Sequence, residues 1–176
     1  MKNFITIISS FLLLIFMNSC GSQSNISPAN VQNLLDKGEF TFMAEHANPT
    51  NYDVINVMNS LPNGSASRML TLDSGYTIQL KKDEVEVTLP YFGRMYTSSM
   101  KGDNSFRFTS KEFTVNRSVG SKGSSVFTVL PTDQKEVSRI VIEVFKNGKT
   151  YVAVQSNDRQ PISYDGYISA NSTREK

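Results

Sequence analysis

Arginine and tyrosine side chains recur in two segments of the sequence, and these segments hold the residues best suited to bind a ligand. The first reads LPYFGRMY, Leu89 to Tyr96, and the second reads NDRQPISYDGYI, Asn157 to Ile168. A guanidinium can hold a carboxylate or phosphate through paired hydrogen bonds, and aromatic rings line many ligand pockets. We therefore predict a binding rim in which Arg159 is an exposed guanidinium in a turn. The rim residues are Tyr91, Phe92, Arg94, Tyr96, Arg159 and Tyr164.

The same two segments could instead serve only the fold. Pro90 cannot donate to a sheet ladder, and Gly93 allows the backbone to bend sharply, which is typical of a strand that coils at a barrel corner. Under either interpretation we expect the two segments to pack together. Arg94 or Arg159 then donates to backbone carbonyl groups or to Asp165. A ligand-binding rim and a structural role both remain open at this point.

Catalytic groups are scarce in the sequence. There is no Gly-x-Ser-x-Gly motif, and GSKGSS, which begins at Gly120, lacks the spacing of a phosphate-binding loop. His46 is predicted on the same strand face as Phe42, where a hydrogen-bonded core histidine is expected. Glu84 and Glu86 share the polar face of one strand, so we expect both carboxylates to be solvent-exposed surface groups and not a catalytic pair. We predict a non-enzymatic protein without a cofactor, and an enzyme such as a hydrolase is the least favoured alternative.

Composition excludes several classes of partner and site. The chain has 18 basic and 16 acidic side chains, a balance that gives no electrostatic reason to expect nucleic acid as a partner. One cysteine and one histidine do not suffice for a zinc site of the His/Cys type. Tryptophan, the commonest stacking platform for sugars, is absent, but seven tyrosines can partly replace it.

The N-terminal residues are typical of an export signal. Lys2 supplies positive charge, and the apolar stretch from Phe4 to Phe16 is too short to span a membrane. Cys20 ends this stretch between Ser19 and Gly21, as in bacterial lipoprotein signals whose cysteine is lipidated and becomes the first residue. An ordinary secretory signal is the alternative. The predicted division is a signal peptide (1–19), a lipidated cysteine with its tether (20–26), a single β domain (27–170) and a flexible tail (171–176).

The residues that follow Cys20 predict a location. The segment GSQSN contains neither the acidic residues typical of surface-exposed lipoproteins nor the aspartate that retains enterobacterial lipoproteins in the inner membrane. We predict attachment to the outer membrane, facing the periplasm. The expected partners are the membrane, through the lipid anchor, and either a small ligand or an envelope protein.

Hydrophobic periodicity predicts a mainly β domain behind one short helix. The helix spans Ser27 to Gly38, with Ser27 as N-cap and Gly38 as the C-terminal stop. Apolar residues then alternate with period two, apart from a loop over residues 48–67 in which Tyr52 to Met58 can form a helical turn. Eight to ten short strands in consecutive hairpins predict an antiparallel meander. It closes as a lipocalin-like barrel or as a two-sheet sandwich.

Three hairpins carry specific register predictions. Lys82-Asp83, Ser110-Lys111 and Asn147-Gly148 are each interpreted as two-residue loops. The third hairpin is apolar on both faces and is therefore predicted to lie centrally, covered on both sides. The corresponding cross-strand pairs are Leu80 with Val85, Phe108 with Phe113, and Val144 with Tyr151.

The two arginine-containing segments, placed behind a lipoprotein signal, resemble a family of Bacteroidetes envelope lipoproteins catalogued as domain of unknown function 4251. The resemblance covers essentially the whole mature chain and implies the envelope compartment and the fold, but no activity. Arg94 matches the arginine of the family's LPYFGR motif, and Met95 stands where alanine is more usual. The residues that match its C-terminal motif are Arg159, Ile162, Ser163, Tyr164 and Gly166.

Overall fold

Nine antiparallel strands form one sheet that curves into a nearly closed barrel. The computed structural model describes residues 26–60, 65–96 and 104–171. Strands follow one another around the sheet in the order β4-β3-β2-β1-β9-β8-β7-β6-β5. The mainly β prediction is confirmed, with the barrel as the form of closure. The strands are β1 Phe40–Pro49, β2 Thr77–Leu80, β3 Val85–Leu89, β4 Phe106–Ser110, β5 Phe113–Val119, β6 Ser125–Pro131, β7 Val137–Val144, β8 Lys149–Ser156 and β9 Ile162–Ser169.

Three short α-helices accompany the barrel in the described part of the chain. Helix α1 (Pro28–Lys37) precedes β1, and α2 (Tyr52–Asn59) and α3 (Ser65–Leu70) lie between β1 and β2. A 3₁₀ turn over Ser121–Gly123 joins β5 to β6. The predicted helical turn in the loop is confirmed as α2. The prediction of a single helix missed α3.

Helix α1 begins and ends at the predicted residues, but its N-cap makes no side-chain hydrogen bond. Gly38 has φ of 68°, and its amide donates to the carbonyl oxygens of Leu34 and Leu35, so glycine satisfies the left-handed stop. At the other end, the side chain of Ser27 makes no capping hydrogen bond. The Ser27 carbonyl oxygen instead accepts from the amide of Val31 at 3.1 Å. Pro28 at the first helical position needs no such partner, because it has no amide hydrogen.

Arg117 of β5 fixes the C-terminal end of α1 to the barrel. Its guanidinium donates to the carbonyl oxygens of Leu35 and Asp36 at 3.3 and 3.4 Å. It also lies 5.1 Å from the centre of the Phe127 ring. A cation is favourable at both places, since helix carbonyl groups and an aromatic face are electron-rich. Leu35 itself is buried, so α1 adds to the core at this end.

Side chains meet across the interior of the barrel. Three strands separate β1 from β6 in the sheet, yet the rings of Phe40 and Phe127 pack edge to face with centres 5.2 Å apart. The hydroxyl of Tyr164 in β9 donates to the carbonyl oxygen of Pro90, just after β3, at 2.5 Å. The interior of a barrel of about eight strands is narrow enough for side chains to fill it. Apolar residues from every strand except β5 form the buried core.

A β-bulge in β1 overturns the predicted position of His46. The register against β9 shifts between Ala44 and His46, because one extra residue occupies β1 there. Ala47 therefore points inward and is fully buried, while His46 is only partly buried and pairs with Asp165. The prediction that His46 shares the core face of Phe42 is wrong.

The first predicted hairpin is confirmed residue by residue. Leu80 pairs with Val85, and Ile78 pairs with Val87, and all four side chains are buried. Lys81 and Glu84 form an ion pair at the turn, which lowers the pKa of Glu84. A slip of one residue would turn the apolar face to solvent, so the alternation excludes it.

The second predicted hairpin is wrong, because β4 and β5 are the two ends of the sheet and do not pair with each other as strands. Asp133, which follows β6, forms hydrogen bonds with the turn that connects β4 to β5. Its carboxylate accepts from the Ser110 hydroxyl at 2.5 Å and from the Lys111 amide at 2.9 Å. The amide of Glu112 also donates to it, at 3.4 Å. The turn at Lys111 and Glu112 thus connects β4, at one edge of the sheet, to β5, at the other edge.

These hydrogen bonds lower the pKa of Asp133, chiefly through Ser110 and then through the Lys111 amide. A lowered carboxyl pKa stabilises the folded state above the ordinary value of about 3.9, and the contribution is lost as pH falls through the lower folded value. We expect Asp133→Asn to melt at a lower temperature than wild type at neutral pH. The difference should shrink on acidification in melts followed by circular dichroism. Asp73→Asn, which changes another exposed aspartate, is the control, and a pH-independent difference for Asp133→Asn would contradict the prediction.

The third hairpin forms with a register one residue away from the prediction. Val144 pairs with Thr150, and Tyr151 pairs with Glu143. Gly148 has φ of 81°, and Phe145 closes the turn by donating its amide to the Lys149 carbonyl oxygen. The loop therefore has three residues and a left-handed glycine, the other common hairpin geometry. The hairpin lies inside the sheet as expected, but its outer face is not covered, since Tyr151 is 39% exposed.

Candidate functional site

The two arginine-containing segments of the sequence pair with each other in the structure. Met95 and Arg159 form an isolated antiparallel bridge. On either side of it, the Tyr96 amide donates to the Asp158 carbonyl oxygen at 2.8 Å, and the Gln160 amide donates to the Arg94 carbonyl oxygen at 3.1 Å. The expectation that the segments pack together is confirmed.

The guanidinium of Arg159 is enclosed by groups from both segments and from the loop before β4. Its Nε and Nη2 donate to the two carboxylate oxygens of Asp158 at 2.9 and 2.8 Å, and Nη1 donates to the Asn104 carbonyl oxygen at 2.6 Å. The rings of Phe106 and Tyr91 lie against it, with centres 4.8 and 5.3 Å away. We call these five residues the arginine cage. Arg159 is only 3% exposed, so the prediction of an exposed guanidinium is wrong.

Electrostatics keep this buried guanidinium charged. Burial acts to lower the pKa of Arg159, but the hydrogen bonds and charge of Asp158 and the charge of Glu136 outweigh it and raise the pKa. Burial also raises the pKa of Tyr91, against the opposing effect of Arg159. A paired, hydrogen-bonded charge is tolerated inside a protein, whereas an unpaired one is not. The positive charge of Arg159 is thus neutralised within the protein.

The tyrosines of the predicted rim also bond to the protein itself. Tyr164 is fully buried with its hydroxyl on Pro90, and burial raises its pKa. The hydroxyl of Tyr91 lies 2.9 Å from the Arg94 carbonyl oxygen and 3.1 Å from that of Gln160. Both hydroxyls therefore tie one segment to the other. This arrangement matches the alternative in which the two segments serve only the fold.

The remaining members of the predicted rim lie nearer the surface. Phe92 is half-buried, whereas the side chains of Arg94 and Tyr96 are exposed, Tyr96 over 65% of its area. In the described part of the chain, Arg94 enters no ion pair. A ligand role for Arg94, Tyr96 and the other rim residues stays a prediction.

A groove with a volume of about 700 Å³ runs along the outer wall of the barrel, away from the arginine cage. It lies over β8 and β9, between the bulge of β1 and the turns at Ser121–Gly123 and at residues 146–148. We call it the outer groove. Its lining residues are Glu45, Lys122, Phe145, Lys146, Asn147, Lys149, Thr150, Tyr151, Asp165, Gly166 and Tyr167.

Strand geometry explains why these side chains share one face. Lys149 pairs with Tyr167 and Tyr151 pairs with Asp165, and residues two apart on a strand point the same way. Gly166 turns to the opposite, interior side, where an added Cβ would overlap the Met43 carbonyl oxygen and come within 2.9 Å of the Phe42 ring. Glycine there lets β1 approach β9 closely beneath the groove.

Positive charge collects at the turn end of the outer groove. Lys122, Lys146 and Lys149 are exposed, and within residues 26–60, 65–96 and 104–171 none of them lies within 4 Å of a carboxylate. The nearby carboxylate of Glu143 accepts from the Ser124 hydroxyl at 2.5 Å instead. Three unpaired ammonium groups around one depression make it a place where an anion is stabilised.

Sequence reasoning missed the outer groove for a definable reason. The sequence predicts only a hairpin turn between Lys146 and Lys149. The predicted two-residue loop puts Tyr151 opposite Val144, whereas in the structure Tyr151 pairs with Glu143 and lies on the outer face. A three-residue loop ending in glycine is the signal that would have given the correct face. Lys122 also lines the outer groove. Its backbone has a positive φ of 63°, which the local sequence does not predict.

The fold and these contacts define a nearly closed nine-stranded β-barrel with a side-chain-filled interior, a buried arginine cage and an open groove on its wall. The chain belongs to the family described as "Domain of unknown function (DUF4251)", which it matches over residues 22–168. The predicted family assignment is therefore confirmed. No curated protein matches the chain.

Two further findings concern the described residues only. No helix among them is both long and apolar enough to cross a membrane. No three of their histidine, cysteine, aspartate and glutamate side chains come together as metal ligands. Cys20 and the predicted signal and tether lie outside the described residues.

Proposed function

We propose that the protein is a non-enzymatic lipoprotein of the cell envelope. Cys20 anchors it to the outer membrane on the periplasmic side, and the barrel binds a small ligand in the outer groove. The anchor rests on the sequence around Cys20. The binding role rests on one structural observation, the groove of about 700 Å³ with unpaired charges along its wall. That volume lies in the range of known ligand sites.

The contrast between groove and cage favours the groove as the site. The groups of the arginine cage bond to one another, so a ligand there would have to displace protein hydrogen bonds. The groove offers ammonium groups, carboxylates and two tyrosine rings that solvent already reaches. Binding at the groove therefore leaves the fold intact. The structural role predicted as the alternative describes the cage well, and the two roles occupy different parts of one protein.

A ligand screen with two tyrosine variants tests the site. The mature lipidated protein is purified in detergent and melted with a panel of sugars, nucleotides, amino acids and lipid headgroups. A ligand that binds only the folded state raises the melting temperature by mass action. We expect the shift given by an active compound to disappear in Tyr151→Ala and to persist in Tyr96→Ala, which removes an exposed tyrosine of the predicted rim.

Two results of this screen would contradict the proposal. A shift lost in Tyr96→Ala and kept in Tyr151→Ala would move the site from the outer groove to the rim. A panel in which no compound shifts the wild-type protein would count against a small-molecule role and favour the structural one.

A further inference from the structure

Charge is segregated along the outer groove. Lys149 pairs with Tyr167, and two residues further along β8 Tyr151 pairs with Asp165. Two strand residues span about 7 Å, so the backbone positions of Lys149 and Asp165 are offset by about that distance along the groove. Glu45, at the bulge, adds a second carboxylate to the end that holds Asp165, the bulge end.

Neither charged end is neutralised by the other. In the described part of the chain, no lysine of the groove lies within 4 Å of Asp165 or Glu45. Asp165 instead accepts a hydrogen bond from the Asn48 side-chain amide at 2.6 Å, which holds its carboxylate in place and leaves its other oxygen open. Tyr167 lies opposite Lys149 at the turn end and Tyr151 lies opposite Asp165 at the bulge end, and both rings are in part exposed.

We propose that the outer groove binds an acidic saccharide, a sugar chain that carries carboxylate groups. This inference rests on the proposed function and names the ligand class of that site. The saccharide carboxylate lies at Lys146 and Lys149, a sugar ring packs against Tyr151 and Tyr167, and ring hydroxyls donate to Asp165 and Glu45.

The chemistry of each end selects this class over simpler ligands. An ammonium group holds a carboxylate by charge-assisted hydrogen bonds, while the carboxylates of Asp165 and Glu45 can only accept, and so favour a ligand rich in hydroxyl donors. A bare anion would use the lysines and be repelled by the acidic end. A purely apolar ligand would leave both ends without partners. A ligand with an anionic group at one position and hydroxyl donors at another satisfies both ends of the groove.

Calorimetric titration of the mature lipidated protein in detergent tests this inference with two matched probes. Trigalacturonic acid supplies carboxylates on a trisaccharide, and maltotriose is a neutral trisaccharide of the same length. We expect the acidic probe to bind, to weaken as salt is added because the charges are exposed, and to bind more tightly than the neutral one.

Variants assign the binding to the groove. The double variant Lys146→Gln with Lys149→Gln should weaken trigalacturonic acid about tenfold or more, a loss of about 1.4 kcal/mol. The control, Lys111→Gln with Lys135→Gln, removes the same charge from exposed positions elsewhere and should bind as wild type does. Tyr151→Ala should weaken binding of the acidic saccharide too, because it removes an aromatic ring on which the sugar packs.

Each contrary result overturns a separable claim. Equal binding of the neutral and acidic trisaccharides in the groove would refute the anionic class and leave the proposed ligand-binding function standing. Inorganic phosphate that displaces the acidic probe at equal concentration would show that charge alone is recognised, and would refute the saccharide. Binding of neither saccharide would refute the ligand class, while the screen with Tyr151→Ala decides the function independently. Equal weakening in both double variants would show diffuse electrostatic attraction in place of a site.

Discussion

Arg159→Ala is expected to lower the melting temperature of the protein by about 6–12 °C. The variant leaves the buried side of Asp158 without its partner, frees the Asn104 carbonyl oxygen and opens a space against Phe106. Removal of one member of a buried ion pair costs about 3–5 kcal/mol, and we take the lower end because Asp158 is 22% exposed. For a domain of this size each kcal/mol shifts the midpoint by about 2–4 °C. Thermal unfolding followed by circular dichroism measures the change.

The matched control is Arg94→Ala, which removes the other arginine of the paired segments. The side chain of Arg94 is exposed and enters no ion pair in the described part of the chain, and its role in the pairing is carried by its carbonyl oxygen. We expect its melting temperature to stay within about 2 °C of wild type, as for most surface substitutions. Equal losses in the two variants would show that the cage is not what stabilises this corner of the barrel.

Arg159→Lys separates charge from geometry. Lysine keeps the positive charge near Asp158 but lacks the planar fork that reaches both carboxylate oxygens and the Asn104 carbonyl at once. Its melting temperature should lie between those of the wild type and Arg159→Ala. A lysine variant as unstable as alanine would assign the stability to the fork and the ring contacts rather than to the charge.

Local patterns predicted the parts of the fold that depend on near neighbours in sequence. The register of β2 against β3 follows from an apolar face, a polar face and the charge pair at Lys81 and Glu84. Helix α1 ends at Gly38 because the left-handed stop requires glycine. In each case, the residues that decide the structure lie within one turn or one hairpin. Structure that depends only on residues close together in sequence can be predicted without knowledge of the whole fold.

The failed predictions depend on residues far apart in the chain. β4 and β5 lie at the two ends of the sheet, and the corner between them is held by Asp133, more than twenty residues further on, which accepts hydrogen bonds from the amides of Lys111 and Glu112. Arg159 is buried because Asn104, in the loop before β4, and Phe106, the first residue of β4, lie against it. The residues around Pro161 predict a turn, but they do not show which residues pack over it. The pairing of the two segments was nevertheless foreseen, since both carry the same unusual mixture of proline, glycine, arginine and tyrosine.

The outer groove shows how a single register step can hide a candidate site. A two-residue loop at Asn147-Gly148 would put Tyr151 on the same face as Val144, in the core. The three-residue loop in the structure turns Tyr151 outward, where it shares a face with Lys149, Asp165 and Tyr167. The groove also draws on the bulge at Glu45 and on the turn at Lys122. These two features arise from long-range packing and leave no periodic signal in the sequence.

Cys20→Ser is expected to abolish incorporation of labelled fatty acid and, with it, the lipid-dependent attachment of the protein to the membrane. The proposed lipidation at Cys20 would supply two or three acyl chains. Each buried methylene adds about 0.8 kcal/mol, and two chains suffice for stable attachment where one does not. With 18 basic and 16 acidic side chains the protein has no large excess of positive charge to bind an anionic membrane without lipid. Serine keeps the apolar export signal but has no thiol to acylate. The variant should therefore fractionate as a soluble protein, or persist with its signal uncleaved, and in both cases lose incorporation of labelled fatty acid.

Two controls make this result interpretable. Ser22→Ala, two residues beyond the cysteine, should be labelled and sedimented as the wild type is, because it leaves the thiol in place. The β domain of Cys20→Ser should melt at the wild-type temperature, since the buried core begins at Val31, beyond the tether. Protease added to intact cells then locates the wild-type domain, which should resist digestion if it faces the periplasm. A serine variant that is labelled as strongly as the wild type would show that Cys20 carries no lipid, and digestion of the domain on intact cells would place it on the outer surface instead.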